Sequence, residues 1–239
     1  MAILSIADLY FQYNNKNLFK NLYFDVYEGN KIGLLGSNGS GKTTLFLLIC
    51  GLLAINKGDI FLFNKRIEKG MFYPEIGLIF QNPDDQLFCL QVRDDIIFGA
   101  ENLSLSLEEI EERLKDVLSA TGVEHLLNRF SHELSGGEKC MVAIASVLIM
   151  EPKLILYDEP SANLDLRARR RLINFLKSSE QTMIIASHDL ELIREVCDRT
   201  IVLNQGKIVA DGDPITIMGD RALMEENCLE VPVSLRANL

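Results

Sequence analysis

The chain has 239 residues, 48% of them hydrophobic and 24% charged, a composition that suits a globular protein with a substantial buried core. Its net charge of −10 argues against nucleic acid as the main partner, because binding to a phosphate backbone relies on Lys and Arg. Five cysteines are scattered without a C-x-x-C spacing and read as reduced core thiols of a cytosolic protein. MAILSIADLYF lacks a basic leader, and Met141 to Met150 is too short an apolar run for the ~20 residues that span a bilayer, so any membrane role is expected to be peripheral.

In chain order, ILSIADLYFQY and LFKNLYFDVYEGN alternate like antiparallel strands around a turn at NNKN. KIGLLG is a short strand that runs into glycines and the helix-like TTLFLLICGLL. DIFLFNKRI behind Gly58 reads as a hairpin, and the apolar run Ile76 to Phe80 as a buried parallel strand. From Val92 to Leu134 the texture becomes helical, with Ile110, Leu114, Val117 and Leu118 on one face of an acidic helix. A helix over Glu138 to Met150 and the strand LILYD follow. Next come the helix LRARRRLINFLKSS, its RARRR strip read as a solvated face, the strand TMIIASH, the helix DLELIREVCD and the hairpin TIVLNQGKIVADG. The tail beyond Asp213 is short. Strands alternating with helices predict a mostly parallel α/β sheet.

Chemistry concentrates where strands end. GSNGSGKT (Gly36, Ser37, Asn38, Gly39, Ser40, Gly41, Lys42, Thr43) fits G-x-x-x-x-G-K-[ST] between a strand and a helix. There backbone N–H groups would cradle phosphate oxygens, with Lys42 on the β- and γ-phosphates and the Thr43 hydroxyl on Mg²⁺. LILYD ends in Asp158, placed to hold Mg²⁺ through its water shell, and Glu159, placed to polarise an attacking water. Gln81 and His188 stand at two further strand ends, so four strand ends are expected to converge on one phosphate. In LSGGEK, Ser135 and Glu138 form S-x-x-E, which reads both as a capping box and, with Gly136 and Gly137, as an anion site.

Over nearly its whole length the chain resembles the ATP-binding-cassette ATPases. GSNGSGKT and the following Thr44 are similar to their Walker A motif, LILYDE to Walker B with Glu159 as catalytic base, and Gln81 to the Q-loop. LSGGEK resembles their signature, SANLD with Asp165 the D-loop, Ser187-His188 the switch, and Tyr13 the aromatic that stacks on adenine. The resemblance implies a P-loop NTPase fold, a RecA-like parallel sheet core with an antiparallel β subdomain (1–91 and 135–239), plus a small α-helical subdomain (92–134). It implies ATP and Mg²⁺ as ligands, with Thr43, Gln81 and Asp158 on the metal. It also implies a head-to-tail dimer with a second copy or a paralogue, in which Ser135, Gly136, Gly137 and Asp165 serve the other chain's ATP. QNPDDQLF, VRDDIIFG and ENLSLS are similar to the energy-coupling-factor, cobalt/nickel-type branch. That branch implies an ATPase on the cytoplasmic face of a membrane, working with a transmembrane coupling subunit and a substrate-binding membrane subunit to import a metal ion or a vitamin. Leu87 and Phe88 would line the groove that receives the membrane subunit, or pack under the helical lobe. Glu138, Met141 and Tyr157 depart from the family's usual Gln, Arg and aliphatic residue. A soluble, non-transport cassette ATPase acting on DNA or the ribosome is the alternative. The short stretch between Lys42 and Ser135, the single cassette and the negative charge all weigh against it.

Overall fold

In the computed structural model, which describes residues 2–13 and 16–236, the chain divides into two compact units, Met1–Tyr73 with Glu180–Leu239, and Pro74–Ser179. The turn expected at NNKN falls partly on Asn14 and Asn15, outside the described residues.

The first unit holds two groups of strands. β1 (Ala2–Tyr13), β2 (Lys16–Tyr27), β4 (Lys57–Leu62) and β5 (Lys65–Arg66) form an antiparallel sheet in the order β2-β1-β4-β5. Leu4, Ile6, Leu9 and Phe11 of β1 are buried, the inward half of the alternation that the sequence displays. Phe63 and Asn64, both at positive φ, close the β4–β5 hairpin in two residues, the turn shape that matches strand twist. β3 (Lys31–Leu35) lies parallel between β8 (Thr182–Ala186) and β9 (Arg199–Asn204), and β10 (Lys207–Gly212) pairs antiparallel with β9. β3 and β8 are almost wholly buried apolar runs, as parallel strands covered on both faces must be. Arg199 anchors this group through paired bonds to Asp211 at 2.6 Å and one to the Asp25 carbonyl at 2.7 Å.

Two helices of this unit follow strands directly: α1 (Lys42–Ile49) after β3 and α6 (Leu190–Val196) after β8. α1 is shorter than its apolar sequence suggests. Cys50 ends it and Gly51 continues at φ +71°, where Gly70 donates its N–H to the Gly51 carbonyl. The tail folds as three short helices, α7 (Pro214–Gly219), α8 (Arg221–Glu226) and α9 (Val233–Arg236), which the sequence reading did not resolve.

In the second unit β6 (Ile76–Ile79) pairs parallel with β7 (Leu154–Asp158). Around this pair stand α2 (Val92–Asn102), α3 (Leu107–Thr121), α4 (Gly136–Leu148) and α5 (Leu166–Ser178). α3 buries Ile110, Leu114, Val117 and Leu118 as its spacing requires, and a complete Ser106–Glu109 capping box starts it. Two expectations need correction. RARRR is not a purely solvated strip, because Arg171 donates to the Thr121 and Gly122 carbonyls at 2.9 Å and so satisfies the end of α3. Cys228 is exposed rather than a core thiol.

Candidate active site

The loop between β3 and α1 is built around a buried cation. Lys42 donates from Nζ to the Gly36 carbonyl at 2.8 Å and stands 3.3 Å from Nε2 of His188, which follows β8. Burying an ammonium group costs free energy unless oxygen or other acceptors replace water, so this lysine is held where a strongly anionic ligand would repay its burial. Ser40 Oγ is buried and finds no hydrogen-bond partner among the described residues. Gly41 precedes α1 at φ +107°, and its position offers no side-chain cap to the helix start. A Cβ at Gly41 would come within 2.7 Å of the Phe19 ring, so both the conformation and the space require glycine. Asn38, Gly39 and Thr43 are exposed, Ser37 and Thr44 half-buried. A buried ammonium, an orphaned hydroxyl and an uncapped helix start together fit a bound phosphate chain.

Phe19 was not singled out from the sequence, yet it carries this loop. Its ring lies 6.4 Å from that of Phe11, which in turn meets Tyr13 edge-on at 5.9 Å. The result is an aromatic row from beneath Gly41 to Tyr13, whose ring is 56% exposed at the end of β1 and open to a flat ligand. The signal was present in LFKN, where β2's alternation turns Phe19 inward.

In the second unit Asp158 closes β7 and is buried, and Glu159 follows at φ +48°. A non-glycine residue held in the left-handed region costs on the order of 1–3 kcal/mol, and such residues cluster where a side chain must be aimed. Gln81 is exposed two residues past the end of β6, because the Phe80 N–H turns to the Gln86 side chain instead of extending the strand. A cleft of about 320 Å³ runs from Gln81 and Asn82 to Gly136, Lys139 and Asn163. Lys139 bridges it with an ion pair to Asp84 at 2.5 Å.

α4 begins as expected: the Ser135 hydroxyl accepts from the Glu138 N–H, and the Glu138 carboxylate takes the Ser135 N–H at 2.8 Å. Ser135's hydroxyl and then its N–H hold the Glu138 carboxyl below its usual range. Ser135 and Gly136 are exposed, whereas Gly137 is pressed on α5, a Cβ there falling 2.5 Å from that of Ala168. Cys140 and the departing residue Met141 beside this motif are both buried in α4's inner face. Asp165 caps α5 through the Ala168 N–H at 2.8 Å. The QNPDDQLF stretch folds onto α4, with the Gln86 amide donating to the Ala143 carbonyl and Ser146. Leu87 and Phe88, read as a pair, are separated by this fold: Leu87 is buried and Phe88 is 67% exposed, edge-on to Phe98 at 4.8 Å.

The ABC transporter family profile matches residues 19–162. The chain belongs to the ABC transporter family. A Synechocystis sp. protein named for ABC transporter ATP binding is 50% identical over 234 residues, 98% of this chain and 82% of that one. The energy-coupling factor transporter ATP-binding protein EcfA of Methanocaldococcus jannaschii is 39% identical over 241 residues, covering 97% of this chain and 86% of that one. The solved structure of cbiO1 from Clostridium perfringens, part of the ABC transporter complex cbiONQ, superposes with a TM-score of 0.85 at 34% identity, over 99% of this chain and 96% of that one. The fold is therefore that of an ABC ATPase, with a parallel and an antiparallel sheet, and the chain is an ATP-binding ATPase of this family. Among the described residues no helix is long and apolar enough to cross a membrane.

Proposed function

We propose that this ABC ATPase energises a membrane importer of the energy-coupling-factor kind, taking up cobalt or nickel ions or a vitamin. The observation that carries the reading is Lys42, buried against the Gly36 carbonyl and His188 in a loop that presents an orphaned Ser40 hydroxyl. The names of the relatives, EcfA among the sequences and cbiO1 among the structures, supply the branch.

In this reading residues 36–44 hold the phosphates of ATP, and Lys42 supplies charge to the β- and γ-phosphates. Tyr13 takes the adenine ring on its exposed face. Glu159, held at φ +48° just past β7, draws a proton from the attacking water. His188 contacts the γ-phosphate end, and Gln81 reports the arrival of nucleotide to the segment behind it. Thr43, Gln81 and Asp158 offer hydroxyl, amide and carboxylate oxygens, the donor types that Mg²⁺ takes, and the ion supplies charge neutralisation at the leaving phosphate when bound. Ser135, Gly136, Gly137 and Asp165 act in trans, on the ATP of a second copy or a paralogue docked head to tail. Residues 92–134 form the helical subdomain beside a core of 1–91 and 135–239. Phe88, Phe98 and Leu90, all exposed, receive an apolar helix of the transmembrane coupling subunit at the cytoplasmic face, and a substrate-binding membrane subunit selects the solute.

The test is affinity capture of the full chain from mildly solubilised host membranes with Mg-ATP, beside Phe88→Asp. Two polytopic membrane proteins retained by the wild type and lost from Phe88→Asp are expected. Ribosomal or DNA-repair proteins in their place would favour a soluble cassette ATPase.

A further inference from the structure

α2 carries a charge on its inward face. Asp95 lies between Val92 and Ile96, is 4% exposed, and its side chain hydrogen-bonds to Phe88, Cys89 and Ser131, all outside its own helix. Oδ1 accepts the N–H groups of Phe88 at 2.9 Å and Cys89 at 2.8 Å, and Oδ2 accepts the hydroxyl of the buried Ser131 at 2.7 Å. Phe88 and Cys89 belong to the segment behind Gln81, and the Phe88 ring is exposed. Ser131 opens the short turn Ser131–Glu133 that leads through buried Leu134 to Ser135, the cap of α4.

The backbone repeats this connection. Ser131 donates its N–H to the Leu90 carbonyl, Val92 to Arg129 and Arg93 to Leu127, and Gln91 bridges Phe130. Residues 90–93 and 127–131 thus form a strap, and Asp95 is its side-chain pin. Burial, then the charge of Asp95, pushes the Cys89 thiol up to about 11, so a neutral thiol sits beside the carboxylate. An apolar residue would fill this position equally well and bond neither segment. A buried carboxylate with donors from two segments specifies their relative position instead, because separating them strands a charge away from water.

We propose that Asp95 is a positioning residue that makes the exposed Phe88 surface and the Ser135–Gly137 segment move as one body, so that a pull at the docking surface displaces the trans-acting helix start. This rests on the function proposed above and adds to it a fixed mechanical link and the residues that make it. Neither Asp95 nor Ser131 touches nucleotide in that scheme.

The full chain is assayed as wild type, Asp95→Asn, Ser131→Ala, the double variant and Ser131→Thr, for Mg-ATP turnover, affinity for a fluorescent ATP analogue and thermal unfolding. Asn keeps the volume and one acceptor oxygen but loses the charge. Either single change is expected to lower kcat at least fivefold, with analogue affinity within twofold of wild type. The double variant should be no slower than the slower single, because the two residues share one link. Ser131→Thr should recover kcat to within twofold. Unchanged kcat in stable single variants, or losses that multiply in the double, would overturn the proposal. If Asp95→Asn does not fold, the Ser131→Ala and Ser131→Thr pair decides by the same criteria. A wild type no faster than Glu159→Gln would overturn the functional reading and this proposal together, whereas an active wild type with silent Asp95 and Ser131 variants overturns only the link.

Discussion

Tyr157 stands directly before Asp158 in the strand that delivers Asp158 and Glu159, and its hydroxyl should be a liability. The side chain is fully buried, and the phenol oxygen finds no hydrogen-bond partner among the described residues. Burial, then the nearby Cys140, pushes the phenol well above its ordinary range, so it stays neutral and the cost is that of a stranded dipole. Leaving such a group unpaired costs about 1–3 kcal/mol. Tyr157→Phe removes the oxygen and keeps the ring, and the void left is smaller than a methyl group, whose loss costs about 1 kcal/mol. The net expectation is a stabilisation of about 1 kcal/mol, which for a chain of this size raises Tm by about 2–4 °C. Differential scanning calorimetry of the two proteins at pH 7, with ATP turnover measured alongside, is the assay. Turnover should stay within about twofold of wild type, since Asp158 and Glu159 lie outside the changed group. A Tm lowered by about 2 °C or more would refute the reasoning and mean that the hydroxyl is hydrogen-bonded in solution.

Lys42→Ala removes the buried ammonium, a charge-assisted contact worth about 1.5–3 kcal/mol, so ATP affinity should fall by about 10- to 150-fold in a fluorescent-analogue titration. Equal affinity would contradict the phosphate-cradle reading. Glu138 is ionised more easily in the folded chain than in the unfolded one, so its contribution is full above the ordinary carboxylate range and is lost as pH falls through the lower folded-state value. Wild type should therefore lose about 0.5–1 kcal/mol more stability than Glu138→Gln on acidification from pH 6 to pH 3, read from unfolding midpoints. Gly137→Ala drives a methyl toward Ala168, and overpacking of that kind costs about 1–3 kcal/mol, a loss that a calorimetric scan would show.

Periodic features were legible in the sequence because their cause is local. The stripe Ile110–Leu114–Val117–Leu118 had only one way to bury itself, and LILYD, a continuous apolar run ending in an acid, had to be a buried strand. The glycine-rich loop and the Ser135–Glu138 box likewise carry their geometry in their spacing. What stayed hidden depends on partners far along the chain. β6 stops at Ile79 because Gln86 takes the next N–H, and Leu87 parts from Phe88 because Asp95 holds the turn between α2 and the strand end. Arg171 left the solvated strip for the carbonyls at the end of α3, a contact 50 residues distant that composition cannot announce. Asp95 itself was visible as an acid on the apolar side of α2, a position that only a buried hydrogen-bond network explains.

The central claim is that this chain hydrolyses ATP with Glu159 as the base, behind a loop that binds the nucleotide independently. Steady-state phosphate release and ATP-analogue affinity, measured side by side on purified wild type and Glu159→Gln, test it most directly. Turnover should drop by about 100-fold or more, the range from about 10² to 10⁴ that a positioned base contributes, while affinity stays within about twofold. Equal turnover in the two proteins would contradict the account.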